Sequence, residues 1–585
     1  MYGGQEMEKW MLKNNNINTS ELMKGLNISE VTAKILVNRG IKNVEAGKIF
    51  IDPKLDYMNN PMLMKDMGKG ISIIKESILN NSRIMVVGDY DVDGVLSTFI
   101  LYSTLKECEA EVIYEIPHRI LDGYGINKSI IDKAINAQIN IIITCDNGIS
   151  AIDAVEYAKK NGIKVIVTDH HELPTNYEEL QAEAIINPKQ QDCKYPFKDL
   201  CGAGVAFKFS QALYEAMDLG QASADKFIHI AAIATVCDVV DLTGENRIIV
   251  KNGLKEMRNT NNLGLKQLIK ATGLEGKAIT TYSLGFVLGP CINASGRLDS
   301  AKKGVKLLMS QSVEEADKLA KELVNLNKER KDMTERGLQE AINQIETSDM
   351  IKDCILVVYN QNIHESIAGI IAGRLKEKYY RPSILLTSAM HGIKGSGRSI
   401  QDYNMFKELT KCSDILCNFG GHPMAAGMSL EEANIDILRL RLNENSNLCT
   451  EDLIPRVSID MQLPLDRISL ELAEELEYLE PFGKGNSKPV FAAKSVSIHK
   501  AQILGSNQNV LRLTIGTSRG RFINGVYFGD IEDFKNAIIN KFGKEEADKL
   551  FQGRNNEVCL DFAFNIDINE YMGNKNIQLI ITNYR

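Results

Sequence analysis

No two of the eleven cysteines in this chain stand in a CxxC pair, and their number is odd. That argues against a structural zinc site and a disulfide framework, and fits reduced thiols in a cytosolic protein. No apolar run approaches the roughly 20 residues that span a bilayer. The opening segment Met1-Tyr2-Gly3-Gly4-Gln5-Glu6 lacks the basic and apolar regions of a signal peptide. A cytoplasmic location is the expectation. Internal repeats and low-complexity tracts are also missing. So is an excess of basic charge: 68 Lys and Arg against 76 Asp and Glu leave a net charge of −8. A nucleic-acid-binding domain usually carries a basic footprint, so any strand bound here must be held by local positive charge in a groove. What remains is an ordinary soluble composition, 44% hydrophobic and 25% charged, and 585 residues suffice for two to four domains.

Against that plain background one segment stands out. Gly88-Asp89-Tyr90-Asp91-Val92-Asp93-Gly94 follows the apolar run Ile84-Met85-Val86-Val87 and packs three carboxylates into five residues. Like charges so close raise one another's pKa, and a fold has reason to avoid them. A divalent cation reverses the argument, because each carboxylate becomes a hard oxygen ligand. The competing reading is a surface turn, since Asp and Gly are common there. Two further apolar runs weigh against it. Ile141 to Cys145 is followed by Asp146-Asn147-Gly148, and Lys164 to Thr168 by Asp169-His170-His171. Helical patterns separate them, Val95 to Lys106 and Ile149 to Lys160, which reads as βαβ units in a parallel sheet. Ligands of such sheets lie outside the carboxyl ends of the strands, so all three motifs should meet at one edge.

Phe227 to Val236 is an apolar helical run ending Thr235-Val236-Cys237-Asp238. Asp238 either faces water at a helix end or is held by a metal. Asp89, Asp91, Asp93, Asp146 and Asp238 supply five negative charges, with His170 and His171 as neutral ligands or donors. Two divalent ions nearly balance that set; one leaves a large excess. Carboxylates mixed with imidazole suit Mn²⁺ or Mg²⁺.

The rest of the chain divides by pattern. Residues 1–50 read as small helices broken at Asn14-Asn15-Asn16, and 51–311 carry the sheet and its motifs. Between Ser312 and Thr347 there is no Pro and only one Gly. Leu319, Leu323, Leu326 and Met333 recur near helical spacing, so this is one long helix, or two joined near Gly337, within a connecting stretch 312–350. A second α/β unit, 351–450, contains a strand at Cys354–Tyr359, a helix at Glu365–Lys378 and a strand at Ser383–Thr387. Residues 455–585 turn to short alternating strands such as Val510 to Ile515, the pattern of a small barrel.

Candidate contacts for a nucleic acid strand are scattered. Gly395-Ser396-Gly397-Arg398-Ser399 reads as a flexible loop whose amides, Ser396 and Arg398 suit a phosphate. Arg297 follows Asn293-Ala294-Ser295-Gly296. Arg119 and Tyr124 lie beyond the strand Val112 to Ile116, where an Arg can pair with a phosphate and a Tyr can stack on a base. His422 in the segment Gly420 to Gly427 is a candidate phosphate donor. Taken singly, each has a bland alternative: a surface Arg, a packed Tyr, a turn, a His satisfied by carbonyls.

In order and spacing, Asp89-Tyr90-Asp91-Val92-Asp93-Gly94, Asp146, Asp169-His170-His171 and Asp238 resemble the four motifs of the DHH phosphoesterase superfamily. Gly289 to Leu298, Gly420 to Gly427 and Glu480 to Asn486 resemble its bacterial RecJ branch, over nearly the whole chain from about residue 50. The resemblance implies an α/β protein with a parallel-sheet DHH domain, a long connecting helix, a DHHA1-like α/β domain and a C-terminal OB-fold β-barrel. It implies a single-strand-specific DNA exonuclease working from the 5′ end, in repair and recombination, by two-metal hydrolysis to 5′-mononucleotides. A helicase and a single-stranded-DNA-binding protein are the partners it implies. By the same analogy Asp93, Asp146, His170 and Asp238 hold one ion and Asp91 with Asp146 the other. Asp89 is a ligand or an acceptor behind the ligands, and His171 donates to the substrate phosphate. Two positions depart from the family: Cys291 stands where Arg is usual, leaving any role carried to that position in doubt, and Ser487 where Pro is common. A phosphodiesterase for short oligonucleotides or cyclic dinucleotides is the rival enzyme, though such proteins are shorter and lack the barrel. A non-catalytic DNA-binding scaffold would have degraded motifs, and here every ligand position is filled.

Overall fold

The computed structural model describes residues 8–13, 17–390, 392–505, 508–571 and 573–585. They fall into two compact units: Met58–Val240 with Ile248–Pro455, and Met1–Tyr57 with Asp241–Arg247 and Arg456–Arg585.

The first unit opens on a five-stranded parallel sheet of β1 (Ile84–Val87), β2 (Val112–Glu115), β3 (Ile141–Cys145), β4 (Lys164–Thr168) and β5 (Ala184–Ile186), in the order β2-β1-β3-β4-β5. Every residue of β1 and β3 is buried, as expected of parallel strands covered on both faces. The order reverses between β1 and β3, so the motifs after these two strands flank the topological switch point. Helix α1 (Val92–Glu107) follows β1. Helix α2 covers Ile152–Lys160, starting three residues later than its apolar pattern. The delay comes from the turn after β3: Gly148 has φ 112° and the Ile149 amide donates to Asp169 Oδ2 instead of opening a helix. Helices α3 (Gly202–Ala216), α4 (Ile228–Cys237) and α5 (Gly289–Leu298) complete this part.

Helix α6 runs unbroken over the 34 residues Val313–Glu346, about 51 Å at 1.5 Å per residue. Gly337 does not divide it. A Cβ there would come within 2.9 Å of Ile371 Cδ1, so this glycine permits close packing. Of the expected stripe only Leu323 is buried, and smaller residues, Ala316, Ala320, Thr334 and Ala341, carry the inner face. The second sheet has β6 (Leu356–Tyr359), β7 (Ser383–Ala389), β8 (Gly392–Arg398), β9 (Leu416–His422) and β10 (Ala425–Leu430) in the order β9-β10-β8-β7-β6. Helix α7 (Ala368–Tyr379), introduced by the 3-10 turn Glu365–Ile367, lies between β6 and β7.

One expectation fails here. Gly395 to Arg398 is the body of strand β8, not a flexible loop. Its glycines serve packing: a Cβ at Gly395 would lie 2.4 Å from Leu386 Cδ2, and one at Gly397 3.1 Å from Met405 Sδ.

In the second unit six strands between Met461 and Tyr584 form one sheet, and Phe491–Leu504 pairs with Cys559–Tyr571 to close the ring. The helices Ile531–Phe542 and Lys544–Gln552, absent from the sequence reading, are inserted between its strands. The N-terminal helices Ser20–Leu26, Glu30–Asn38 and Val44–Ile51 form as expected. The opening segment and the Asn14-Asn15-Asn16 break lie outside the described residues, apart from the short strand Lys9–Leu12, which pairs in parallel with Arg456–Ile459. Arg39 Nη1 meets the buried Asp460 Oδ1 at 2.7 Å. Among the described residues no helix is long and apolar enough to cross a membrane.

Arg247 is the largest fully buried side chain. Its guanidinium donates to the carbonyls of Phe50 at 2.7 Å, Glu480 at 2.7 Å and Tyr478 at 3.3 Å, and lies 3.8 Å from the Phe50 ring centroid. Charged hydrogen bonds are worth about 1.5–3 kcal/mol each, so Arg247→Ala should destabilise this unit by on the order of 3 kcal/mol. The chain's one tryptophan, Trp10, packs under Arg585 in the same unit, 4.6 Å from ring centroid to guanidinium. Its fluorescence should report a lower urea midpoint for the variant; an unmoved midpoint overturns the assignment.

Candidate metal centre and adjoining cleft

The carboxylates are placed by the ends of four elements. Gly88 closes β1 where a Cβ would come within 1.9 Å of Thr98 Oγ1, so the chain turns sharply into α1. Asp89 is buried and accepts from the Gly125 amide at 3.4 Å. Asp91 caps α1, its Oδ1 accepting from the Gly94 amide at 3.0 Å. Asp93, in the first turn, accepts from the amides of Gly202 at 2.6 Å and Ala203 at 2.8 Å. Asp146 follows β3 with φ 62°. A Cβ on Gly202 would lie 2.6 Å from Asp146 Cβ, so only glycine admits this approach.

These groups converge on one imidazole. His170 Nε2 lies 3.0 Å from Asp146 Oδ1, 3.6 Å from Asp93 Oδ2 and 3.8 Å from Asp238 Oδ2. Two donor sets result, each within 4.8 Å: Asp93, His170 and Asp238, and Asp146, His170 and His171. Asp89 and Asp91 lie outside both sets. Asp238 caps α4 with its side chain 26% exposed, so the choice between solvent and the site resolves toward the site. His171 Nδ1 lies 2.7 Å from Asp169 Oδ1, which also accepts from the amides of His170 and His171.

Burial, then Asp91, pushes the Asp93 carboxyl up to about 6. Burial, Asp93 and Asp91 push Asp238 up to about 8, and Asp146 and Asp89 are raised well above their ordinary range, first by burial. His170 is driven down to about 3 by burial and by His171. Burial works most strongly against charge on His171, but the hydrogen bond to Asp169 together with the charges of Asp169, Asp238 and Asp93 outweighs it and lifts this imidazole to about 9. Among the described residues none of the five carboxylates pairs with a lysine or arginine. Carboxylates with no lysine or arginine paired to them, joined by the neutral His170 imidazole and offset in part by His171, have the donor chemistry of a site for hard to intermediate divalent ions.

Beside Tyr90 opens a cleft of about 660 Å³. Arg119, Arg297, Ser396 and Arg398 all line it, so segments far apart in sequence meet as their side-chain chemistry required. The Arg119 guanidinium lies 4.7 Å over the Tyr90 ring. Arg297 donates to the Ser366 carbonyl, and Arg398 to Ser396 Oγ at 3.0 Å and the Gly397 carbonyl at 2.8 Å. Among the described residues none of these three arginines pairs with a carboxylate; Glu365, also in the wall, is taken by Lys394 at 2.7 Å. The amino end of α7 lines the cleft, and a Cβ on Gly369 would come within 2.8 Å of both Arg398 Nη2 and Ser396 Oγ.

Two of the candidate strand contacts do not line this cleft. Tyr124 belongs to the acidic centre: its hydroxyl donates to the Asp146 carbonyl at 2.9 Å and lies 3.3 Å from His171 Nε2. His422 sits exposed at the end of β9, its Nδ1 accepting from the Met424 amide at 3.3 Å, outside the cleft wall. Cys291 is buried, donating to the Val287 carbonyl at 3.2 Å and accepting from Asn327 Nδ2 at 3.5 Å. Sequence reasoning missed the roles of Asp169, Tyr90, Gly369 and the Gly202 and Ala203 amides. Only the Gly-Ala-Gly start of α3 and the acid that opens Asp169-His170-His171 signalled any of them.

Family models match three stretches: the DHH family N-terminal domain at residues 83–235, the DHHA1 domain at 352–445 and the RecJ OB domain at 459–583. The single-stranded-DNA-specific exonuclease RecJ of Escherichia coli is 32% identical over 575 residues, 94% of this chain and 95% of that protein. The chain belongs to the RecJ family. RecJ of Bacillus subtilis is 39% identical over 498 residues, 84% of this chain but 62% of that longer relative. RecJ of Thermus thermophilus in complex with Mn²⁺ superposes with a TM-score of 0.82 at 25% identity, covering 99% of this chain and 79% of that one. An exonuclease RecJ bound to manganese matches with a TM-score of 0.58 at 31% identity, covering 66% of this chain and 96% of that one. The architecture is that of RecJ: a parallel-sheet DHH domain, a long helix, a DHHA1 domain and an OB barrel.

The raised groups make metal-free stability depend on pH. Above the ordinary imidazole value of 6.5, His170, at about 3, is neutral folded or unfolded and drops out. Asp238, at about 8, and His171, at about 9, still bind protons in the folded state that the unfolded chain has released. Stability from these groups is therefore lost as pH rises through their folded values. In chelator the Tm should fall between pH 6.5 and about 8.5, and Mn²⁺ should reverse most of the fall. A Tm that is flat or rising across this window contradicts the charge assignment.

Proposed function

We propose that this chain is a single-stranded-DNA-specific exonuclease that degrades from the 5′ end to 5′-mononucleotides by metal-dependent phosphodiester hydrolysis, in DNA repair and recombination. One observation carries the reading: five carboxylates that no lysine or arginine pairs with among the described residues, together with His170, adjoin a cleft whose arginines have no carboxylate partners there. Anionic residues that want cations beside cationic residues that want anions describe a metal-assisted phosphate site.

Mn²⁺ or Mg²⁺ are the ions of this reading. Asp93, Asp146, His170 and Asp238 hold one and Asp91 with Asp146 the other, with Asp89 behind them on the Gly125 amide. Ions so held would supply charge to activate water for in-line attack and to offset charge on the departing 3′ oxygen. His171, kept protonated by Asp169, donates to a phosphate oxygen. Tyr124 fixes the Asp146 turn through the carbonyl it binds. Arg119, Arg297, Ser396, Arg398 and the α7 amides receive the terminal phosphate, which carries more charge than an internal one. The barrel contributes further strand binding. His422, at its hairpin end, is left for a phosphate farther along the strand.

The domain division belonging to this reading is an N-terminal helical segment 1–50, a catalytic domain 51–311, a connecting helix 312–350, a DHHA1 domain 351–450 and a barrel 455–585. Each family-model match falls inside one of these. A cytoplasmic location is supported by free cysteines. A helicase and a single-stranded-DNA-binding protein are its proposed partners, by family resemblance.

Asp146→Ala should bring hydrolysis of single-stranded DNA below detection with circular dichroism unchanged, because this ligand is shared. Asp89→Ala should cost about 10–100-fold, as losses behind the ligands do. Near-normal turnover of the Asp146 variant at saturating Mn²⁺ would refute the shared ligand.

The cleft reading separates two substrates. Charge-assisted hydrogen bonds are worth about 1.5–3 kcal/mol, so Arg398→Ala should cost tenfold to a hundredfold in kcat/KM on 5′-phosphorylated DNA. On 5′-hydroxyl DNA, where the contact is already missing, the loss should be much smaller. Equal losses on both would mean that Arg398 follows the backbone and that the terminus is recognised elsewhere.

A further inference from the structure

One helical rod passes along the whole acidic centre. It begins at Tyr282, continues through the π turn Ser283–Leu288 and becomes α5. Near its start it packs on the turn that carries Asp238: Cys237 Sγ donates to the Leu284 carbonyl at 3.4 Å, and a Cβ on Gly289 would lie 2.2 Å from that sulfur. Farther along, Asn293 Oδ1 accepts from the Val92 amide at 2.9 Å, between Asp91 and Asp93. At its far end a Cβ on Gly296 would come within 2.0 Å of the Tyr90 carbonyl, and Arg297 enters the cleft. The rod thus runs from Asp238, past the α1 carboxylates, to the cleft arginines.

Beyond Asp238, at the end away from the cleft, two aromatic rings stand in water. Tyr282 and Phe286 stack with centroids 5.0 Å apart and planes 22° from parallel. Each is 66% exposed, while Leu284 and Leu288 supply the buried face of the same turn. The pair therefore contributes little to the core. Val239, next to Asp238 in the chain, is 59% exposed as well.

We propose that Tyr282 and Phe286 form a stacking platform for nucleobases on the 3′ side of the bond being cut. The inference rests on the exonuclease reading above. A strand whose terminal phosphate sits at Arg297 and whose scissile bond lies at the carboxylates must leave on the Asp238 side. Phe286 precedes Arg297 by 11 residues, about 16 Å along the rod at 1.5 Å per residue, so bases beyond the second nucleotide reach the pair. Every base has a π face, so stacking on an aromatic pair grips the strand without reading its sequence. That is the property an exonuclease of single strands needs just ahead of its active site. A double-stranded substrate keeps its bases stacked on one another and offers none to the platform.

The test uses the full chain with Mn²⁺ and 5′-phosphorylated oligothymidylates of increasing length. Tyr282→Ala/Phe286→Ala should raise KM for strands long enough to reach the pair by about tenfold to a hundredfold. A dinucleotide, too short to reach it, should change less than about twofold. Phe286→Leu in the Tyr282→Ala background keeps apolar surface without a ring and should behave like the double alanine. In a separate binding arm in chelator, emission of Phe286→Trp should be quenched as long oligothymidylate is added, with the unaltered chain and its single Trp10 as blank. Equal loss at every length, no loss at all, full rescue by leucine, or absent quenching each overturns the platform; rescue by leucine would mark the pair as a surface for a protein. If the unaltered chain degrades no single strand, the exonuclease reading fails, and the quenching arm still decides whether bases stack here.

Discussion

The structure depends on one electrostatic problem. Five carboxylates are gathered at the switch point of a parallel sheet, and no lysine or arginine among the described residues pairs with any of them. In isolation this arrangement repels itself. The neighbouring elements soften it without cancelling it. The amides at the start of α3 take both oxygens of Asp93, and Asp91 is turned back onto the first turn of α1. Asp169 is the exception that completes the pattern: despite its burial, it is held down at about 2 by the hydrogen bond and charge of His171. One acid is therefore neutralised internally while the others are left wanting divalent charge.

The same logic explains how an acidic chain can bind an anionic polymer. Positive charge is gathered in one cleft, and among the described residues none of its arginines forms an ion pair with the carboxylates. Burial and the neighbouring Arg119 and Arg330 lower Arg297 to about 10, so the cluster is a real cost to the free protein. Carbonyl contacts hold two of these like charges in place: Arg297 on Ser366 of another element, and Arg398 on Gly397 of its own strand. A net charge of −8 therefore coexists with a strongly cationic cleft, since field at a site depends on local arrangement more than on the total.

Much of this was legible because parallel strands announce themselves. Ile84–Val87 and Ile141–Cys145 are apolar throughout, and the acids directly after them mark the carboxyl edge. What the pattern could not carry was contact over distance. Lys9–Leu12 pairs with Arg456–Ile459, and Arg39 with Asp460, across more than 400 residues. Arg247, from the middle of the chain, is buried against Phe50 and Glu480. Local hydrophobic spacing holds no record of such partners. Glycine misled in a different way. In Gly395-Ser396-Gly397 its abundance reads as flexibility, yet each glycine there admits a neighbour that a side chain would exclude. Likewise the stripe of α6 was sought among three leucines and Met333, whereas the buried face also draws on alanine, threonine, asparagine, glycine and isoleucine.

In the proposed reading, recognition of an end follows from where these parts sit along the chain. Every candidate ligand lies between Asp89 and Asp238, and Arg119 and Arg297 belong to the same domain. Ser396, Arg398 and the α7 amides come from the other side of α6. The spacing between carboxylates and the far wall of the cleft is thus set by a helix of 34 residues and by the Arg297–Ser366 contact that ties the two sides. A continuous helix is stiff over this length, and the small residues on its inner face leave little room for repacking. Gly337 strengthens the point, since it lets Ile371 of α7 bear directly on the α6 backbone. A rigid spacer fixes one distance between a terminal phosphate and the bond to be cut. A fixed distance from an end, rather than affinity for any base, is what makes cleavage stepwise.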